Sequence, residues 1–332
     1  LNRKALSKDL AFEGSVIAVD VAGFKRSLNL SNFNALLALP KAILACRREM
    51  KAGQPDVIVG FGGYASVPGA VAGLTLRMPL IIHEQNVIPG LANRLLAPLA
   101  SAIAVSFEAT LQEFPGWRKK AEVTGNPLYR YGRNSLGGED AWAFFELERE
   151  RSTVAILGGS QGAASINRAV LEALPLFKAR DDLQIIHSVG RDKYQEFTAQ
   201  AAKVESGKLI YRPVEFIERM DLLYACAEMA LSRAGASTVS ELAAAGCPAI
   251  LIPYPYATAA HQEANAAMLK EAGGARVIRD SDLDGALLYK EVVDLISDRF
   301  KLQKMGESVS RVGRADATER LAAMVIAMGR EN

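Results

Sequence analysis

The chain has 332 residues, with 39 Lys and Arg against 37 Asp and Glu, so its net charge of +2 does not mark it as a nucleic-acid binder. Half of the residues are hydrophobic and 23% are charged, an ordinary globular profile for about two domains, and Gly and Pro are too few for a collagen or a disordered linker. Cys46, Cys226 and Cys247 lie far apart with no CxxC pair, which argues against a disulfide scaffold or zinc knuckle and fits a reducing compartment.

No apolar run reaches the roughly 18 residues that a spanning helix needs, and the opening residues form no signal-peptide pattern. The sequence starts at Leu1 rather than Met, so we expect a further N-terminal piece.

Short aliphatic runs alternate with longer helical patterns. Strands are expected at Ser15–Val21, Val57–Gly60, Leu80–His83, Ala102–Ser106, Thr153–Leu157, Gln184–Ser188, Leu209–Tyr211, Met229–Leu231 and Ala249–Pro253. Most are almost wholly apolar, as strands buried on both faces must be. Helices are expected between them, as at Ser165–Leu176, Thr238–Ala245 and His261–Ala272. This alternation predicts an α/β chain with parallel sheets covered by helices. A boundary is expected near Tyr129–Gly138, where three glycines interrupt any apolar period before the strand series restarts.

In Gly23–Lys51, Phe33, Leu36 and Leu37 can share an apolar face near Lys41 and other basic residues, with Pro40 kinking or starting the helix. Such a surface suits an anionic bilayer; the plain alternative is an amphipathic helix packed on its own sheet.

Three glycine turns follow strands. Gly60–Ser66 contains Gly62, Gly63 and Tyr64 and is either a ligand-approach turn or a simple βα turn. Gly158, Gly159, Ser160, Gln161 and Gly162 lack the Walker Lys-Ser/Thr and the GxGxxG spacing, but suit phosphate binding at a helix N-terminus. In Ser232–Glu241, Thr238 and Glu241 have the spacing of a capping box. The functional alternative there is a helix end facing a diphosphate, with Glu241 on a sugar diol.

His83-Glu84-Gln85-Asn86 also closes a strand, and His83 and Glu84 are candidates for proton transfer or sugar binding; the plain alternative is a polar loop that hydrogen-bonds its own backbone. The three histidines are not paired at i, i+4, and Asp280-Ser281-Asp282 reads better as a helix cap than as a metal motif, so no bound metal is expected.

Taken together, PDVIVGFGGYASVPG, LIIHEQNVIPGLANRLLA, TGNPL, ILGGSQGAASIN, EFI, SRAGASTVSELAAAGCPAILIP, HQEANA and DATERL run in order from Pro55 to Leu321 and closely resemble the MurG family of N-acetylglucosaminyltransferases. The resemblance implies a GT-B fold, two Rossmann-like domains facing across a cleft. It implies residues 1–132 as an acceptor and membrane domain, 133–312 as the UDP-GlcNAc domain, and 313–332 as a helix returning to the first domain.

The implied activity is inverting transfer of GlcNAc from UDP-GlcNAc to the C4 hydroxyl of the muramoyl sugar of undecaprenyl-linked lipid I. The protein would lie peripherally on the cytoplasmic face of the bacterial inner membrane, serving peptidoglycan synthesis, cell shape and division beside cell-wall and division proteins, and needing no cofactor. By the same resemblance Asn86 and Gln262 would meet the donor sugar, Ser160 the diphosphate, and Ile217 the uracil through its backbone. Ala236, Ser237, Thr238, Val239 and Ser240 would line the diphosphate, Glu241 would hold the ribose, and Gly62, Gly63 and Tyr64 would face the acceptor.

The chain departs from the family pattern twice. Tyr129 stands where the family has a donor-contacting arginine, with Arg130 one position later. The family's opening Gly-Gly-Thr-Gly-Gly-His loop is not among these residues; it amounts to about 30–40 residues, one βα unit and part of a strand. Its histidine is the family's candidate base, which leaves His83 or Glu84 for that role here. The alternatives are another GT-B enzyme, such as a glycolipid glycosyltransferase or a UDP-GlcNAc 2-epimerase, or a non-catalytic nucleotide-sugar-binding module.

Overall fold

The computed structural model describes residue 18 and residues 30–128, 140–159, 161–204 and 207–330, with side chains from residue 39 onward in the first helix. Apart from residue 18, the expected strand Ser15–Val21 falls outside these residues, as do the side chains of Phe33, Leu36 and Leu37, and Tyr129, Arg130 and Ser160 altogether.

Among the described residues the strands form two parallel sheets. The first runs β1 (Ile58–Gly60), β2 (Leu80–Glu84), β3 (Ala102–Val105) and β4 (Ala121–Val123), in that order. Around it lie α1 (Leu30–Gly53), α2 (Val67–Thr75) and α3 (Leu91–Leu96). Pro40 lies inside α1, so it does not start the helix.

The second sheet has the order β10-β9-β8-β5-β6-β7. Its strands are β5 (Ser152–Leu157), β6 (Leu183–Ser188), β7 (Ile210–Val214), β8 (Met229–Ser232), β9 (Ala249–Leu251) and β10 (Ala275–Val277). After the short α4 (Ala141–Phe144), its main helices are α5 (Ala164–Phe177), α6 (Tyr194–Ala201), α7 (Met220–Cys226), α8 (Ala236–Ala245), α9 (His261–Glu271), α10 (Gly285–Ile296) and α11 (Arg299–Ser310). One apolar cluster on this sheet joins Ile156, Val170 and Leu288; the other joins Leu157, Val239 and Leu269. Strand residues alternate between the two clusters, which is why the central strands β5, β8 and β9 are almost wholly apolar.

Two strands have no counterpart in the sequence analysis. β4 (Ala-Glu-Val) and β10 (Ala-Arg-Val) are three-residue edge strands with a charged centre, so neither presents an apolar run.

The last helix, α12 (Ala317–Arg330), belongs spatially to the first sheet. Leu321 joins Ile81 and Ala104 in one buried cluster, with Met324 and Val325 packed against it. Arg320 pairs with Glu122 of β4 at 3.1 Å, and the Thr318 hydroxyl donates to the Leu128 carbonyl at 3.2 Å. Gly125, at φ +86°, lies beneath this return: a Cβ there would stand 2.6 Å from the Cβ of Arg314 and 2.7 Å from that of Ala317.

Candidate active site

In the second sheet β5 pairs with β6 on one side and β8 on the other, so chain order reverses between β5 and β8. Loops leaving the carboxyl ends of two such strands diverge and open a crevice, where α/β sheets bind ligands. The glycine turns 158–162 and 233–235 are these two loops.

The first is shaped by close backbone approach. Gly159 and Gly162 have φ of +79° and +71°, and a Cβ on Gly162 would stand 2.1 Å from the Val189 carbonyl oxygen. Gly190, at φ +98°, backs onto Gly162 in turn. This partner glycine carries no motif of its own and is therefore not legible in the sequence. Neither α5 nor α8 has a side-chain cap: Ala163 and Gly235 occupy the cap positions. The first N–H groups of both helices, from Ala164 and from Ala236, Ser237 and Thr238, therefore have no intrahelical acceptor. Two positive helix ends thus border one crevice.

The capping box expected at Thr238 and Glu241 is not formed. The helix starts at Ala236, so Thr238 is its third residue. Glu241 instead accepts a hydrogen bond from the Tyr224 hydroxyl at 3.2 Å. Val239 and Ser240 also depart from expectation. Val239 is buried in the core, and its N–H is spent on the Gly235 carbonyl at 2.9 Å. The Ser240 hydroxyl is buried beside Asn126 and Arg314, where the chain passes between the sheets. Of the five expected diphosphate residues, Ala236, Ser237 and Thr238 remain.

Asp280 does not cap a helix; Asp284 caps α10 through the Leu287 N–H at 2.7 Å. Asp280 accepts from Ser165 of α5 at 2.5 Å and from Arg233 at 2.5 Å, while Arg233 also donates to Ser165 at 2.8 Å and to the Ile252 carbonyl at 3.1 Å. Burial works to raise the Asp280 pKa, but the Ser165 and Arg233 hydrogen bonds and the arginine charge outweigh it and hold the carboxyl below its ordinary value. This triad locks three loops around the crevice. It is invisible in sequence because its members lie 47 to 115 positions apart. Among the described residues no group of three or more His, Cys, Asp or Glu is placed to hold a metal ion.

On the first sheet, the loop from Gln85 to Gly90 is wrapped around Glu84, which is 2% exposed. One carboxylate oxygen accepts from the Asn86 N–H at 2.9 Å and the Asn86 amide at 3.2 Å, the other from the Gly90 N–H at 2.9 Å and Asn93 at 2.7 Å. His83 is fully buried. Its Nε2 lies 2.8 Å from the Gly125 carbonyl, which can only accept, so Nε2 carries the proton and Nδ1 accepts from Gln85 at 3.2 Å. Burial pushes its pKa below the ordinary value, against the Gly125 hydrogen bond and the Glu84 charge.

Both ring nitrogens and both carboxylate oxygens are therefore engaged within the protein. The catalytic role expected of His83 and Glu84 does not fit this geometry, which makes them the frame of the loop. Gln85 extends the frame, donating to the Phe61 carbonyl at 3.0 Å beside Gly62 and Gly63, whose φ values are +71° and +70°. Tyr64 follows at the start of a 3-10 turn.

The two sheets meet at Asn265 of α9, which is 0% exposed. It accepts from the Val87 N–H at 3.0 Å and donates to Asn86 Oδ1 at 3.2 Å and the Ala234 carbonyl at 3.1 Å. One turn earlier, Gln262 accepts from the N–H groups of Ala234 at 3.2 Å and Tyr254 at 2.9 Å. Its Nε2 has no hydrogen bond among the described residues. Asn265 is not singled out by the sequence, since a lone helical asparagine gives no sign of a distant partner. Ile217 borders a cavity of about 580 Å³ walled by Phe145, Tyr211, Phe216 and Arg219.

Residues 153–321 match the glycosyltransferase family 28 C-terminal domain, and residues 2–105 match the glycosyltransferase family 28 N-terminal domain. The chain belongs to glycosyltransferase family 28.

Curated relatives of this family 28 chain carry one name. The UDP-N-acetylglucosamine--N-acetylmuramyl-(pentapeptide) pyrophosphoryl-undecaprenol N-acetylglucosamine transferase of Halothermothrix orenii is 39% identical over 92% of this chain and 84% of its own. The protein of the same name from Desulforamulus reducens is 35% identical over 90% of this chain and 81% of its own. The crystal structure of Acinetobacter baumannii MurG superposes with a TM-score of 0.70 at 26% identity, covering 94% of this chain and 84% of that one. The Neisseria meningitidis UDP-GlcNAc 2-epimerase bound to UDP-GlcNAc has a TM-score of 0.65 at 14% identity, covering 92% and 84%, and shares the fold alone. The expected two-lobed GT-B fold is thus borne out.

Proposed function

We propose that this family 28 chain transfers GlcNAc from UDP-GlcNAc to the C4 hydroxyl of the muramoyl sugar of lipid I, with inversion, giving lipid II. The observation that carries this is the meeting of Asn86 with Asn265, which brings the HEQN loop of one sheet against the donor-side helix α9 of the other. A sugar held between Gln262 and Asn86 would sit between the diphosphate crevice and the first sheet, where an acceptor can approach in line.

Residues 133–312 take the donor and 1–132 the acceptor, while 313–332 tie back to the first lobe. The N-termini of α5 and α8 stabilise the diphosphate as the bond from the anomeric carbon to its oxygen breaks. The glycine loop, with Ser160, completes that cradle. Glu241 accepts from the ribose hydroxyls, Ile217 offers its backbone to the uracil, and Arg130 is the residue proposed to contact the donor. Gly62, Gly63 and Tyr64 line the acceptor side. His83 and Glu84 position this machinery, and the acceptor proton passes to another group.

The work is peripheral to the cytoplasmic face of the inner membrane, in the service of peptidoglycan growth, cell shape and division. No helix among the described residues is long and apolar enough to cross a membrane. A membrane-facing surface is supported by Leu91, Leu95 and Leu99, which are 73%, 66% and 58% exposed. Basic residues flank it: Lys120 donates to the carbonyls of Pro98 and Ala100, and Arg118 and Lys119 are exposed beside it. Lys41 of α1 is exposed as well.

The test is transfer of label from UDP-GlcNAc to a lipid I analogue, read as disaccharide product and released UDP. Product with inverted anomeric configuration is expected. Conversion of UDP-GlcNAc to its 2-epimer without an acceptor, or tight UDP-GlcNAc binding with no turnover on any acceptor, would overturn the assignment.

A further inference from the structure

Tyr224 lies on α7 and is 8% exposed. Its ring belongs to the apolar cluster that holds Ile217, Val239 and Leu242. Its hydroxyl donates to Oε2 of Glu241 at 3.2 Å. Glu241 is partly exposed on α8, one turn beyond the helix end that faces the crevice. A glutamate side chain has three rotatable bonds, and an unheld carboxylate samples several rotamers. Cis hydroxyls on a furanose ring need both carboxylate oxygens in one orientation.

We propose that Tyr224 is a positioning residue for nucleoside recognition: it fixes the Glu241 carboxylate in the orientation that reads a ribose diol and couples it, through the shared cluster, to Ile217 at the base end. This rests on the assignment of Glu241 to ribose. Tyrosine supplies a rigid lever here, since its ring is fixed by packing and its hydroxyl reaches the Glu241 carboxylate. Tyr224 touches no substrate, so its effect is confined to how well the diol is recognised. It contributes nothing to the bond-making step.

The test uses Tyr224→Phe and Glu241→Ala in the full chain, with UDP and 2′,3′-dideoxy-UDP as probes. In the unaltered protein UDP binds more tightly than the dideoxy compound. Tyr224→Phe is expected to raise the UDP Kd about five- to tenfold, leave the dideoxy Kd within about twofold, and raise the KM for UDP-GlcNAc with kcat within about twofold. Thermal unfolding of the variant confirms that it is folded. Equal weakening of both probes would make Tyr224 a packing residue and overturn the proposal, as would an unchanged UDP Kd. If Glu241→Ala leaves the preference for UDP over the dideoxy compound intact, the ribose assignment itself fails, and that result is distinct from the first two.

Discussion

Asn265 and Asn86, 179 positions apart, share a 3.2 Å side-chain hydrogen bond across the cleft, and the same buried amide holds Val87 and Ala234. Its NH2 group faces two carbonyl oxygens. Asn265→Asp would set a carboxylate against both of them while keeping the Val87 contact. Two lost bonds and the new repulsion are worth about 2–3 kcal/mol, or roughly 30- to 160-fold in kcat/KM. Steady-state transfer assays check this, and a variant within threefold of the parent would remove Asn265 from lobe closure.

Glu84 receives four N–H groups and offers them only acceptors. Glu84→Gln replaces one acceptor oxygen with a donor facing N–H groups. We expect a loss of about 1–3 kcal/mol in unfolding free energy together with lower activity. Because Glu84 frames the loop and does not take a proton, the shape of the pH–rate profile should survive. A profile that loses its acidic limb in this variant would restore Glu84 as the base.

His187 is fully buried between the Tyr211 hydroxyl, 2.8 Å away, and Asn167, 3.2 Å away, and burial pushes its pKa down to about 3. Unfolding returns it to about 6.5, so between these values the unfolded chain binds the extra proton. Stability from this group is complete above pH 6.5 and falls as the pH drops toward 3. At pH 5 the loss is about 2 kcal/mol relative to pH 7, and His83, also depressed, adds in the same direction. Urea unfolding at pH 5 and 7 measures this; equal stabilities would contradict the burial of both rings.

Leu91, Leu95 and Leu99 expose apolar surface next to Lys120. Each would gain up to about 1.5–3 kcal/mol on full burial. Replacing all three with Ser should weaken binding to vesicles containing anionic phospholipid by about 100-fold, with UDP affinity unchanged. Sedimentation with such vesicles reads the effect, and undiminished binding would place the membrane face elsewhere.

Much of this architecture is legible in sequence because strands buried on both faces must be apolar along their whole length. Eight expected strands coincide with observed ones to within a few residues, while Ser15–Val21, apart from residue 18, lies outside the described residues. What stayed hidden depends on distance or on competition. The β4 and β10 edges are too short and polar to register. The Thr238–Glu241 spacing has the pattern of a cap, yet Gly235 starts the helix three residues earlier and releases Glu241 to Tyr224. His83 and Glu84 have the composition of an acid–base pair, and only their partners Gly125, Asn93 and Gly90 show that their lone pairs and proton are already committed.

The return of α12 to the first sheet bears on how the chain is made. Ile81 and Ala104 emerge early during synthesis, yet the residue that completes their buried cluster is Leu321, 217 positions after Ala104. The first lobe therefore cannot finish this cluster until Leu321 has left the ribosome, by which time the second lobe has every strand it needs. In a chain made from its N-terminus, the second lobe would be the first to mature and the first lobe the last. A stop codon ahead of Ala317 would thus damage the half of the protein farthest from it in sequence.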